Sequence, residues 1–240
     1  MLRVDGRQLT LEDVVRVARH REPIEVDPSA LEAVKKSREF LDREVGSGRA
    51  IYGVNTGVGQ LAGVAVDGDA LEDLQRNIVR SHASGLGPPL ADEDVRAVVL
   101  LKLNLFLKGV SGVRVELVHQ LEAMLRADVL PVVPAKGSLG ASGDLAPLAH
   151  VALCVIGEGE ARLAGETMPA ADALRRQGLE PLALSYKEGL GLINGCQVMA
   201  GRGTLILHDG WNLWKLAQII GAAVLDVFGA SEKPFHAAVH

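Results

Sequence analysis

Aromatic residues are scarce in this chain: two Trp, two Tyr and four Phe, 3% of 240 residues. So few rings do not build the stacking platforms of a single-strand nucleic-acid binder. No block of Lys or Arg compensates, and the formal net charge is −5, so nucleic acid is not an expected partner. Cysteine is nearly absent. Cys154 and Cys196 lie in apolar surroundings outside any CxxC pair, and they read as small buried hydrophobes in a reducing compartment. Uncharged apolar runs of about 20 residues are missing, so no membrane span is expected. The longest apolar stretch, 190–228, is interrupted by Arg202, His208, Asp209, Lys215 and Asp226. The start, Met1-Leu2-Arg3-Val4-Asp5, lacks the apolar core of a secretory signal, and a cytoplasmic protein is the expectation. The histidines are scattered. The close pair His236 and His240 has no Cys, Asp or Glu at ligating spacing, so no metal is expected.

What is present is 48% hydrophobic, enough for a sizeable core. The first twenty-odd residues mix short apolar runs with charges. A helix follows, with Asp27 as its cap, Pro28 in its first turn, and Leu31, Val34, Leu41 and Val45 on one face. Residues 53–65 hold several glycines and are expected as an irregular loop. Helices are predicted over about 69–84, 92–107 and 113–126. The segment VLPVVPAKGSLGASGD is a loop rich in breakers. A helix then starts near Asp144, with Pro147 in its first turn, and runs to about residue 157. GEGEARLAGETMPA predicts a short hairpin or loop excursion, and ADALRRQGL a short helix. From residue 187 the pattern is helical almost to the end. Glycines at 191, 195, 201, 203, 210 and 221 make at least one break reasonable. The class is mainly α: an α-rich N-terminal domain with a few short strands, 1–185, leading into the start of a long-helix bundle, 186–240. The final SEKPFHAAVH carries no helix stop, as though the chain were cut.

The loop 137–150, GSLGASGDLAPLAH, fits none of the three common motifs. A hydrolase elbow needs G-x-S-x-G, and the position two after Ser142 is Asp144. A phosphate loop needs a lysine after its glycines, and a dinucleotide fingerprint needs a different glycine spacing. Ala141-Ser142-Gly143 has chemistry of its own. Gly143 has no side chain, so its nitrogen can approach the Ala141 carbonyl in a very tight turn. Ring closure with loss of water, then loss of the Ser142 hydroxyl, gives 4-methylidene-imidazol-5-one, a strong electrophile. Asp144 is placed to assist a proton transfer or to cap the following helix. The helix start adds positive potential beside the ring.

This loop resembles the prosthetic-group signature of the aromatic amino-acid ammonia-lyase family. YGVNTGVG at 52–59, RNIVRSHASGLG at 76–87 and KEGLGLINGCQ at 187–197 resemble further family segments in the expected order. The resemblance implies a methylidene-imidazolone formed autocatalytically from Ala141, Ser142 and Gly143, with no metal and no external cofactor. It implies Tyr52 as catalytic base or acid, which requires positive surroundings to lower its phenol pKa from about 10. On its own Tyr52 is an ordinary core or turn aromatic. Val58 stands where many relatives carry a larger residue. His82, within Ser81-His82-Ala83, is implied as the substrate-binding residue and points to L-histidine, released as urocanate and ammonia. Asn194 is implied beside the prosthetic group, with Gln197 a supporting residue one turn on. Cys196 stands where relatives often have Thr and receives no role.

The resemblance further implies a homotetramer with shared active sites. It also implies a second half, absent here, that supplies another tyrosine, an arginine and a glutamate, so that this chain alone is inactive or needs a second chain. Three other readings stay open: a tyrosine or phenylalanine ammonia-lyase or aminomutase of the same chemistry, a non-catalytic helical assembly protein, and a serine hydrolase using Ser142.

Overall fold

The computed structural model describes residues 1–59, 66 and 70–239. Its beginning is more ordered than the mixed sequence suggests. Strand β1 (Leu2–Val4) pairs in parallel with β2 (Ile24–Val26), and helix α1 (Leu11–Arg19) makes the crossover between them. A reciprocal capping box starts α1: Asp13 N–H donates to Thr10 Oγ1, and Thr10 N–H donates to the Asp13 carboxylate. Val14, Val15, Val17 and Ala18 are its buried face. Helix α2 (Pro28–Gly46) starts as the sequence predicts, with the Asp27 side chain accepting Ser29 N–H and Pro28 in the first turn.

Helices α3 (Ala70–His82), α4 (Asp92–Phe106) and α5 (Val115–Arg126) follow, close to the expected spans. The predicted start of α3 at Asp69 lies outside the described residues. The breaker-rich segment is not wholly irregular. It contains β4 (Leu130–Pro131) and β5 (Pro134–Lys136), and β5 pairs antiparallel with β3 (Leu86–Pro89). Helix α6 (Leu145–Val155) comes next, then a hairpin of β6 (Glu160–Leu163) and β7 (Glu166–Pro169), which extends β4 into a three-stranded sheet. Helix α7 (Ala170–Arg176) leads to α8 (Glu188–Ile193).

The expected helical tail breaks once, at 194–196, and resumes as α9 (Gln197–Val227). Gly195 marks the break with φ +139, a conformation that an L side chain rarely adopts. At 31 residues α9 is about 46 Å long. Only its first turns are buried, at Val198, Gly201 and Leu205.

Helix α4 is the centre of the core. Val95, Ala97, Val98, Val99, Leu100, Leu103 and Phe106 are all buried, and α1, α5 and α9 pack around it. It also buries two cations, Arg96 and Lys102. Arg96 donates to the carbonyls of Val17 and Leu125, near the C-terminal ends of α1 and α5, and pairs with Asp128 at 2.5 Å. A buried charge is tolerated when helix C-terminal carbonyls and a carboxylate meet it. No helix among the described residues is long and apolar enough to cross a membrane.

Candidate active site

The turn at 141–143 sits between β5 and α6. Gly140–Ser142 form one 3-10 turn, with Ser142 N–H on Leu139 O at 3.2 Å and Gly143 N–H on Gly140 O at 3.0 Å. Leu139 N–H returns to Gly143 O at 3.0 Å, which closes the turn on itself. Gly143 has φ +120 and ψ 153, so a residue with a side chain at this position would be strained. Ala141 and Ser142 are exposed, whereas Gly143 and Asp144 are buried.

Asp144 anchors the turn from below. Its Oδ2 accepts Val198 N–H and Met199 N–H, both at 2.9 Å, in the first turn of α9. The other oxygen accepts the Ser138 hydroxyl, and Ser138 Oγ in turn accepts Gly140 N–H at 3.1 Å. Asp144 N–H donates to Gly195 O at 2.8 Å. The sequence expects Asp144 to serve the helix that follows it, but its side chain makes no cap bond to α6. The carboxylate caps α9 instead, because the free N–H groups there face it across the fold. Cys196, given no role from sequence, aims its Sγ at Ala141 O at 3.7 Å.

The strand that follows His82 pairs with the strand that precedes the turn. Leu86 stands opposite Lys136 and Pro89 opposite Pro134, so the segment after His82 lies along the segment before the turn. Gly85 N–H donates to His150 Nε2 of α6 at 3.2 Å, and burial lowers the pKa of His150. His82 Nδ1 lies 2.7 Å from Ile78 O. A carbonyl only accepts, so Nδ1 carries the proton and Nε2 of the neutral ring is left as an acceptor.

Asn194 ends α8, is exposed, and donates its N–H to Leu190 O at 3.0 Å. The next residues pack tightly: a Cβ added to Gly195 would lie 2.3 Å from Gln197 Oε1. That Gln197 oxygen is buried with no hydrogen-bond partner, an unfilled acceptor beside the turn's supporting segment. Tyr52 is 55% exposed, and its hydroxyl oxygen accepts Gly59 N–H at 3.1 Å. Among the described residues no cation–π contact reaches the Tyr52 ring. Part of the Tyr52 loop, 60–65, lies outside the described residues, as does His240 of the His236 pair. Among the described residues no group of three or more His, Cys, Asp or Glu could hold a metal.

Three supporting groups escape sequence reasoning. Buried Gln75 of α3 donates to Gly53 O at 3.1 Å and accepts Leu190 N–H at 3.2 Å, tying the Tyr52 loop to α8. Buried Glu188 accepts Arg114 through three N–H groups and Ser185 N–H through one, which fixes the start of α8. Lys102 of α4 donates to Gly191 O at 3.2 Å and Asn194 O at 2.8 Å. Burial pushes its pKa down to about 7, against the opposing pull of Asp144 and Cys196. Only Lys102 carries a visible signal, as a lone cation inside the apolar run VVLLKLNLFL.

Comparison with known proteins agrees with this layout. Residues 9–240 match the family described as aromatic amino acid lyase. A histidine ammonia-lyase from Myxococcus xanthus is 47% identical over 237 residues, covering 99% of this chain and 47% of that protein. The solved tyrosine aminomutase of Streptomyces globisporus superposes with TM-score 0.94 at 39% identity, over 100% of this chain and 45% of that one. The histidine ammonia-lyase of Trypanosoma cruzi does so with TM-score 0.92 at 31% identity, over 100% and 46%. The chain thus spans about half the length of the curated relatives it matches.

Proposed function

The chain belongs to the aromatic amino acid lyase family, and we propose that it serves the non-oxidative deamination of L-histidine to urocanate and ammonia. The observation that carries this reading is the exposed, self-closed turn of Ala141, Ser142 and Gly143, with the strand that follows His82 paired to the strand that precedes the turn. The residues fit a methylidene-imidazolone. Gly143 holds a backbone angle that other residues avoid, Cys196 Sγ–H meets the carbonyl that must be attacked, and buried Asp144 holds the base of the turn. Ring closure joins Gly143 N to Ala141 C with loss of one water, and a second water leaves with the Ser142 hydroxyl. Once formed, the group would supply an electrophilic methylene, chemistry that would make the substrate amine a better leaving group.

The other residues bind and move protons. His82 Nε2 accepts the substrate's imidazole N–H, because Nδ1–H is held by Ile78 O. Asn194 meets the ring carbonyl or the substrate carboxylate, and Gln197 supports it. Tyr52, on a glycine-rich turn, takes or returns the β-proton. Its phenol needs a positive neighbour to do so. The reading extends to assembly and place. Exposed Ile206, Leu213, Trp214, Ile219 and Ile220 on α9 are covered by further copies in a homotetramer in the cytoplasm, which completes shared active sites.

A second reading has one observation in its favour. An acceptor at His82 Nε2 serves a phenol O–H as well as an imidazole N–H, and the tyrosine aminomutase is among the structural neighbours. The deciding experiments are two. Mass spectrometry of the peptide spanning 137–147 should show the loss of two waters, about 36 Da. An unmodified peptide from the assembled protein overturns the proposal. Histidine, tyrosine and phenylalanine offered in parallel, with urocanate and cinnamates followed by absorbance, then separate the two readings.

A further inference from the structure

Lys102 lies in the middle of α4 with no exposed surface. An apolar side chain of equal length would fill that space without the desolvation cost of an ammonium. The groups it meets give the reason for a cation. Helix α8 is only 6 residues long, and its last turn points the Gly191 and Asn194 carbonyls into the core. The Lys102 Nζ donates to both, at 3.2 and 2.8 Å, and the Phe106 ring centroid lies 5.6 Å away. The chain then turns through Gly195, and Gly195 O receives Asp144 N–H.

The link at 194–196 therefore runs between a buried amine and a buried carboxylate. Lys102 holds Asn194 O from one side. Asp144 holds the link from the other, through Gly195 O and through the Val198 and Met199 N–H groups. The charged or titratable groups facing Lys102 are Asp144, below the turn, and Cys196, at the head of α9.

We propose that Lys102 is a positioning residue: its buried amine fixes the Gly191 and Asn194 carbonyls, and so sets the support on which the 141–143 turn closes. Lys102 touches neither substrate nor turn and acts through the link. The effect on ring formation rests on the function proposed above, whereas the effect on the link does not.

The test compares the unaltered chain with Lys102→Met, Lys102→Arg and Leu121→Ala. Leu121 is buried in α5, away from the link, and reports loss of stability alone. Hydrogen–deuterium exchange should rise at least tenfold across 191–199 in Lys102→Met while α5 amides keep their protection. Lys102→Arg should recover most of that protection, and Leu121→Ala should show no selective rise at the link. The yield of the 36 Da loss should fall at least tenfold in Lys102→Met and not in Leu121→Ala. Link exchange in a folded Lys102→Met equal to that of the unaltered chain overturns the proposal. If the unaltered chain shows no mass loss, the lyase reading fails and the exchange result still decides the role of Lys102.

Should Lys102→Met not fold, the unaltered protein carries the test. An opening of the link that wets Lys102 takes up a proton above about pH 7. Protection of 191–199, corrected for intrinsic rates, should then rise between pH 7 and 9, by at most tenfold per unit. The same measurement on Cys196→Ser removes titration of the thiol. Protection of 191–199 that is absent at every pH overturns the proposal.

Discussion

At the scale of single residues, the candidate chemistry rests on side chains whose partners have been named. Ser142 is exposed, and its N–H bond to Leu139 O is a backbone contact that an alanine keeps. Ser142→Ala should therefore abolish the 36 Da loss and all turnover while changing stability by less than about 0.5 kcal/mol, as thermal unfolding and intact mass would show. His82→Leu removes one acceptor for the substrate ring. A single hydrogen bond to a neutral group is worth about 1 kcal/mol. The expected loss is about fivefold in kcat/KM for histidine, and an unchanged value would remove His82 from the site. Asp144 is the opposite case, since its carboxylate satisfies two N–H groups of α9 and the Ser138 hydroxyl while buried. Asp144→Ala should lower unfolding stability by about 2 kcal/mol or more, measured by denaturant titration.

At the scale of elements, local signals and tertiary pairing divide the work. Helix α2 is legible because Asp27 and Pro28 make a strong start signal just before an apolar face. Helix α1 carries an equally good capping box, Thr10 with Asp13, but the charges around it disguise the apolar face. Strands β3 and β5 are not legible at all, since Leu86–Pro89 and Pro134–Lys136 carry prolines that ordinarily argue against a strand. They form because each finds the other across the fold. The break in the helical tail is foreseeable, but its place is not. Of the glycines between 191 and 221 only Gly195 takes a positive φ. Gly201 serves another end: a Cβ there would stand 3.2 Å from Ala97 of α4, so its absence lets α9 cross close. Gly201→Val should cost about 2 kcal/mol by overpacking this crossing, read by thermal unfolding.

For the whole molecule, burial of Lys102 gives a pH dependence whose sign follows from linkage. Its pKa is depressed from 10.5 to about 7 in the folded protein. Below pH 7 both states hold the proton, and the cost of burying the charge is present in full. Between pH 7 and 10.5 only the unfolded chain holds it, so this group's contribution to stability rises with pH across that window. The stability of the unaltered protein relative to Lys102→Met should climb over the same range. A flat difference would show that Lys102 is not buried as described. The exposed apolar residues of α9 predict self-association at the same scale. Ile219→Glu together with Ile220→Glu should shift sedimentation towards the monomer while leaving the 36 Da loss measurable.

The amino-acid sequence by itself determined the mainly helical class, most helix spans and Ala141-Ser142-Gly143 as the candidate site, because each of these depends on neighbours a few positions apart. Apolar period, caps and breakers act locally, and so does the backbone freedom of Gly143. The tertiary structure alone decided that Asp144 caps α9, that β3 pairs with β5 just before the turn, and that Lys102 and Gln75 support α8. Those partners are tens of residues apart in the chain, and only packing around α4 brings the buried charges and the unsatisfied helix ends within hydrogen-bonding distance.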